Sequence, residues 1–170
     1  GMGRATALAF AAAGARVVVA DVNTDGGEET AAMIGADAAF VRTDVSDSAA
    51  VQAMVGTAVD RFGGLDCAVN AAAIENETGL LADTEDAAFD RIIAVNLRVT
   101  FLGTQAVLRQ MVPRRQGRVV LFASQRGVDG QVPGAHYAAA KGGVIAVMRP
   151  SADEMGPYVI TCHAAAPGPA

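Results

Sequence analysis

Tryptophan is absent from this 170-residue chain, cysteine and histidine occur twice each, and aromatic residues make up 5%. Cys67 and Cys162 lie far apart, with no C-x-x-C pair and no histidine cluster at ligand spacing, which argues against a disulfide framework and a zinc site. Reduced thiols, and with them a cytoplasmic location, are the expectation. Basic charge is scarce as well: 13 Lys and Arg stand against 18 Asp and Glu, a net −5 with both signs interspersed. No patch suited to neutralising nucleic-acid phosphates is left. Apolar runs stay below the roughly 18 residues that cross a bilayer, and the first residues lack the order of a signal peptide. Neither secretion nor a membrane span is expected. What remains is 52% apolar and 18% charged, long enough to bury one core. A single domain over residues 1–170 is the expectation.

Short β-rich runs alternate with longer Ala-, Leu- and Met-rich stretches of helical spacing. Strands are predicted at Arg16–Asp21, Ala38–Arg42, Leu65–Asn70, Arg118–Ala123 and Val159–Ala164. Helices are predicted at Met2–Ala13, Asp25–Met33, Ala49–Phe62, Thr84–Val112 and Tyr137–Met155, with Gly14, Gly35 and Gly63 where C-caps are wanted. Strands such as Val17-Val18-Val19 and Val119-Val120-Leu121-Phe122 are continuously apolar, as strands covered on both faces must be. A doubly wound parallel-sheet α/β domain of Rossmann type follows. Such a domain opens on a central strand, whereas this sequence opens on a helix and stops in a loop at Pro167-Gly168-Pro169-Ala170. The chain is therefore expected to be cut at both ends, lacking the first strand and a C-terminal substrate segment.

Gly1-Met2-Gly3-Arg4 opens the first helix, where backbone N–H groups and the helix dipole suit a pyrophosphate; the alternative is a chance pair of small residues. Asp21 ends the next strand, where a carboxylate can accept from ribose hydroxyls and repel a 2′-phosphate. That arrangement favours NAD over NADP, and the alternative is an ordinary turn residue. Tyr137 and Lys141 stand at i, i+4, which puts phenol and ammonium on one helix face. A free phenol titrates near pH 10, and a neighbouring cation favours its phenolate, so Lys141 is expected to make Tyr137 a usable acid/base. Ser124 ends the preceding strand, beside the first turn of this helix in parallel topology, where its hydroxyl can hold a substrate oxygen.

Taken in order, these motifs resemble the short-chain dehydrogenase/reductase family over essentially the whole chain. Gly1 and Gly3 match the last glycines of its T-G-x-x-x-G-x-G turn, Asp44-Val45 its adenine-contacting dipeptide, and Val69-Asn70-Ala71-Ala72-Ala73 falls where the family has N-N-A-G. Asn96, Ser124, Tyr137 and Lys141 match its four catalytic residues, and Pro167-Gly168 its P-G near the nicotinamide. The resemblance implies hydride transfer between a nicotinamide cofactor and an alcohol or ketone, with Tyr137 moving the hydroxyl proton and Ser124 orienting the substrate oxygen. Lys141 would hold the nicotinamide ribose, and the main chain around Asn96 a relay water. It also implies a cofactor site formed by Gly1, Met2, Gly3, Asp21, Asp44, Val45, Asn70, Ala71, Ala72, Tyr137, Lys141, Pro167 and Gly168, no metal, and a homodimer or homotetramer packed through the long helices.

Several positions depart from that pattern. Ala71 and Ala73 replace the second Asn and the Gly of N-N-A-G, and Pro150 falls inside the Tyr137 helix, where a kink near Met148 is expected. His163 is expected to be a core or edge histidine, and His136 to be structural although it adjoins Tyr137. Glu75, Glu77, Asp83, Glu85 and Asp86 read as a solvated acidic cap before the long helix, and Arg114-Arg115 as capping charge at its end. Gln125, Arg126, Gln131 and His136 are candidates for lining the remaining pocket. Two other functions stay in view: a catalytically silent relative or truncated fragment serving as a binding or assembly module, and a flavodoxin-type nucleotide binder, which would leave Ser124, Tyr137 and Lys141 unexplained.

Overall fold

A computed structural model describes residues 1–75 and 79–168, so Glu77 of the acidic stretch, with Pro169 and Ala170, lies outside the described residues. The chain forms two compact units, Gly1–Leu65 and Asp66–Ala170.

In the first unit, α1 (Met2–Ala12), β1 (Val17–Asp21), α2 (Thr24–Ile34), β2 (Ala38–Arg42) and α3 (Ser48–Phe62) alternate as predicted. β1 and β2 pair in parallel, from Val17 opposite Ala38 to Asp21 opposite Arg42. Side chains start α2 and α3: the Asn23 carboxamide accepts from the Gly26 N–H, and the Asp47 carboxylate from the Ala49 N–H, each satisfying a first-turn donor. Glycine ends all three helices, with Gly14, Gly35 and Gly63 all at positive φ. Val51, Val55 and Ala58 bury one stripe of α3, while α1 buries no residue fully.

The second unit holds β3 (Cys67–Asn70), α4 (Asp86–Ile92), α5 (Val99–Arg114), β4 (Gly117–Phe122), α6 (Arg126–Asp129), α7 (Ala135–Met155) and β5 (Ile160–Ala165). Its sheet is parallel in the order β3-β4-β5. β4 is central, which accounts for its continuous apolar run. Val119 and Leu121 are each 1% exposed, and burying side chains of that size stabilises by about 1.5–3 kcal/mol apiece. Both units are thus parallel α/β layers, the doubly wound Rossmann pattern expected from the alternation.

The long predicted helix differs in detail. It begins at Asp86, not Thr84, and between α4 and α5 it widens into a π-helical segment, Ile93–Arg98. The run Asp86–Arg114 has an 18-residue window of mean hydropathy 1.2, of which 39% is buried, so by length and composition it could cross a bilayer. The length is reached through helix continuity, which adds residues that no single apolar run contains. Buried Asn96, Thr100 and Thr104 lie along it, as suits a core helix. α7 begins two residues before Tyr137 and continues through Pro150 to Met155, as α5 does through Pro113. The short helices Leu81–Asp83, Arg126–Asp129 and Gly156–Tyr158 had no counterpart in the sequence pattern.

Candidate functional site

Parallel pairing places the carboxyl ends of all strands in a sheet on one edge, and in open α/β sheets ligands bind there. In the first unit that edge carries Asp21 and, after β2, Thr43 and Asp44-Val45. Asp21 is exposed, and its carboxylate accepts from the Asn23 N–H at 2.9 Å. Asp44 is exposed too; its carboxylate accepts from the Ser46 hydroxyl at 2.6 Å and the Ser46 N–H at 2.9 Å. Those two bonds, hydroxyl first, hold its carboxyl below the usual range. Gly1, Met2 and Gly3 are exposed at the start of α1, whose first turn has no side-chain cap.

In the second unit the corresponding edge brings together Asn70, Ser124 and Pro167. The Asn70 carboxamide donates to the Thr100 hydroxyl at 3.1 Å, and the Ala72 N–H donates back to its oxygen at 3.3 Å. Ala71 is half-buried and Ala73 exposed. Asn96, 0% exposed, sits in the π-helical turn. Its carboxamide clamps Ile74 twice, accepting from the N–H and donating to the carbonyl, both at 2.8 Å, while its own carbonyl accepts from Thr100 at 3.0 Å. A wider turn of this kind often marks a functional position. The asparagine thereby ties the segment after β3 to the long helix.

Ser124 follows β4, and its hydroxyl accepts from the Arg126 N–H at 3.2 Å. α6 then presses on α7: a Cβ at Gly127 would lie 2.5 Å from the Lys141 carbonyl carbon and 2.7 Å from the Gly142 nitrogen. Only glycine fits this approach, which brings Ser124 alongside Tyr137. Lys141 is 2% exposed, and its ammonium donates to the Phe122 carbonyl at 2.7 Å. Burial lowers its pKa to about 8, with the Glu75 carboxylate acting in the opposite sense.

Tyr137 departs from expectation. Burial raises its phenol above the ordinary value and Glu75 adds to the rise, whereas the Ser124 hydrogen bond and the Arg126 guanidinium pull it down. Lys141, whose Nζ lies 5.9 Å from the ring centroid, donates instead to the Phe122 carbonyl at 2.7 Å. Arg126, whose carbon Cζ is 5.8 Å from the same centroid, pairs with Glu75. That pair escaped the sequence reading, which put Glu75 in a solvated cap and Arg126 on a pocket wall; residues so distant in the chain leave no pairing signal in one sequence. Thr100 was missed for the same reason.

Pro167 accepts from the Gln125 N–H at 3.0 Å, and a Cβ on Gly168 would lie 2.9 Å from the Gln125 side-chain oxygen. His136 is 4% exposed with its Nδ1 unpartnered, while His163 is exposed on the edge strand β5. Arg114 pairs with Asp66 at 3.0 Å. Among the described residues no group of three metal-ligating side chains occurs.

The profile of the short chain dehydrogenase family matches residues 1–170. This chain belongs to the short-chain dehydrogenase family. It is similar to levodione reductase of Leifsonia aquatica, 41% identical over 99% of this chain and 65% of that protein. It is similar also to sorbitol dehydrogenase of Cereibacter sphaeroides, 36% identical over 99% of this chain and 66% of the relative. A crystal structure of levodione reductase superposes with a TM-score of 0.96 at 40% identity, covering 99% of this chain and 67% of that one. The chain thus spans about two thirds of the length of these short-chain dehydrogenases.

Proposed function

We propose that this chain is the core of an oxidoreductase that interconverts alcohols and ketones with a nicotinamide dinucleotide, NAD in preference to NADP. The observation that carries the reading is the cluster in the second unit of Ser124, Tyr137 and the buried Lys141. Burying an ammonium is costly, so a lysine kept there at a lowered pKa is better accounted for by chemistry than by packing.

The residues present fit such a cofactor. The uncapped first turn of α1, with Gly1, Met2 and Gly3, suits phosphate oxygens; Asp21 suits the adenosine ribose; Asp44-Val45 the adenine; Asn70, Ala71, Ala72, Pro167 and Gly168 the nicotinamide half. When bound, the dinucleotide would supply or accept the hydride. Ser124 would hold the substrate oxygen and Tyr137 would give or take its proton. Lys141, with donors left beyond the Phe122 carbonyl, would hold ribose hydroxyls and pass protons outward. Asn96 would keep the segment after β3 in place, its main chain holding the relay water. Residues 1–170 would then act as one dinucleotide-binding domain in the cytosol. Association into dimers or tetramers through the long helices belongs to the same reading, supported by an apolar groove on α5 and α7 lined by Phe101, Leu108, Val112, Ala146 and Val147.

The test is hydride transfer from a panel of small alcohols to NAD, followed by nicotinamide absorbance in the full-length protein. Tyr137→Phe is expected to lower kcat by about 10³-fold with the fold retained, within the range for loss of a general acid/base. A variant as fast as the parent would remove Tyr137 from the chemistry.

A further inference from the structure

The mechanism above leaves one charged contact without a role. Arg126 is wedged beside Tyr137, with its Cζ 5.8 Å from the ring centroid. Its Nε donates to the Gln131 side-chain oxygen at 2.6 Å, and its Nη1 pairs with the Glu75 carboxylate. Its backbone N–H donates to the Ser124 hydroxyl. One residue therefore touches both groups assigned to the substrate oxygen. Its side chain is 28% exposed against 47% for Glu75, so the guanidinium is the more enclosed member of the pair. A purely solvated salt bridge would contribute little; this one is anchored at three points on the wall of the site.

We propose that Arg126, held by Glu75 and Gln131, is a positioning residue for Tyr137, and that the Glu75–Arg126 pair sets the electrostatic field in which the phenol exchanges its proton. This rests on the assignment of Tyr137 as acid/base and goes beyond it by giving the field a source other than Lys141. The charged groups around the ring are Arg126 from α6, Lys141 from α7 and Glu75 from the segment after β3. Asp129 of α6 is bonded instead to the Gln125 carboxamide at 3.3 Å, and His136, the neighbour on α7, is buried. The two cations lie almost equally far from the ring centroid. Lys141 donates to the Phe122 carbonyl, and Arg126 and Glu75 act on the phenol with opposite signs: the carboxylate raises its pKa and the guanidinium lowers it. Glu75 also supports the charged form of Lys141. Its removal should therefore make both Tyr137 and Lys141 harder to keep protonated.

The composition permits a direct measurement. Residues 1–170 hold no tryptophan and two tyrosines, and the near-ultraviolet tyrosinate band of each protein, less that of its Tyr137→Phe counterpart, isolates Tyr137. Alkaline titration of the full-length protein without cofactor or substrate, with circular dichroism followed in parallel, is compared for the parent, Glu75→Gln, Glu75→Asp and Arg126→Gln. Glu75→Gln keeps an acceptor for the guanidinium and removes the charge, and is expected to lower the Tyr137 midpoint by roughly half a pH unit to one. Arg126→Gln is expected to raise it by a similar amount, and Glu75→Asp to titrate like the parent. If Glu75→Gln does not fold, Gln131→Ala, which loosens Arg126 without altering charge, is expected to raise the midpoint slightly. Folded variants that titrate with the parent, or charge removals that both move the midpoint the same way, overturn the proposal. Because no turnover is measured, the expected shifts in a protein that transfers no hydride would sink the catalytic reading and leave this one standing.

Discussion

The two units place their candidate groups in opposite environments. In Gly1–Leu65 the cofactor candidates Gly1, Met2, Gly3, Asp21 and Asp44 are all exposed, bonded only to nearby backbone or hydroxyl groups. In Asp66–Ala170 the catalytic candidates Asn96 and Lys141 are 0% and 2% exposed and belong to networks that cross several elements. The difference teaches where each kind of work can be done. A group that recognises a ligand by donating or accepting a hydrogen bond serves well at the surface. A group whose proton affinity must change needs burial and fixed neighbours, because charges act strongly only where water is excluded.

That contrast predicts that substitutions of equal size will have unequal consequences. The largest effect on stability is expected at Gly127→Ala, whose Cβ would meet Lys141 backbone at 2.5 Å. A loss of about 2–3 kcal/mol should be read by denaturant titration, since backbone on both sides cannot yield as a side chain would.

Next comes the buried ammonium. Lys141 titrates at about 8 in the folded chain against an ordinary 10.5. Between those values the unfolded chain holds a proton that the folded chain has released, so stability rises with pH across this window and is flat in this respect below it. Lys141→Met should abolish that rise, on the order of 2–3 kcal/mol, in melting curves taken from pH 7.5 to 10.5. A parent and variant that run parallel would contradict the burial argument. The smallest effect belongs to the exposed unit: Asn23→Ala removes the cap on Gly26 and should cost about 1 kcal/mol, with no dependence on pH.

Much of the architecture was legible because parallel α/β units advertise themselves. β2 falls on its predicted limits, and the other strands shift by no more than two residues. Tyr137 and Lys141 were recognisable from their spacing, and the structure sets them on one helix with Ser124 at the adjoining strand end. What the sequence could not disclose is long-range or conformational. The π-helical turn at Ile93–Arg98 is only six residues long, too short to print a period of its own on the apolar pattern. The Glu75–Arg126 pair depends on how the segment after β3 meets α6. The direction of the Tyr137 shift is set first by burial and then by Glu75, neither of which the i, i+4 spacing discloses.

The division of labour between recognition and proton transfer is tested most directly by calorimetric titration of NAD and NADP into the full-length protein and its Asp21→Ala and Tyr137→Phe variants. The account predicts that the parent prefers NAD, that Asp21→Ala loses about tenfold of that preference, roughly 1.4 kcal/mol, and that Tyr137→Phe keeps it. A folded parent that binds neither dinucleotide, or an Asp21→Ala protein with its preference intact, would contradict it.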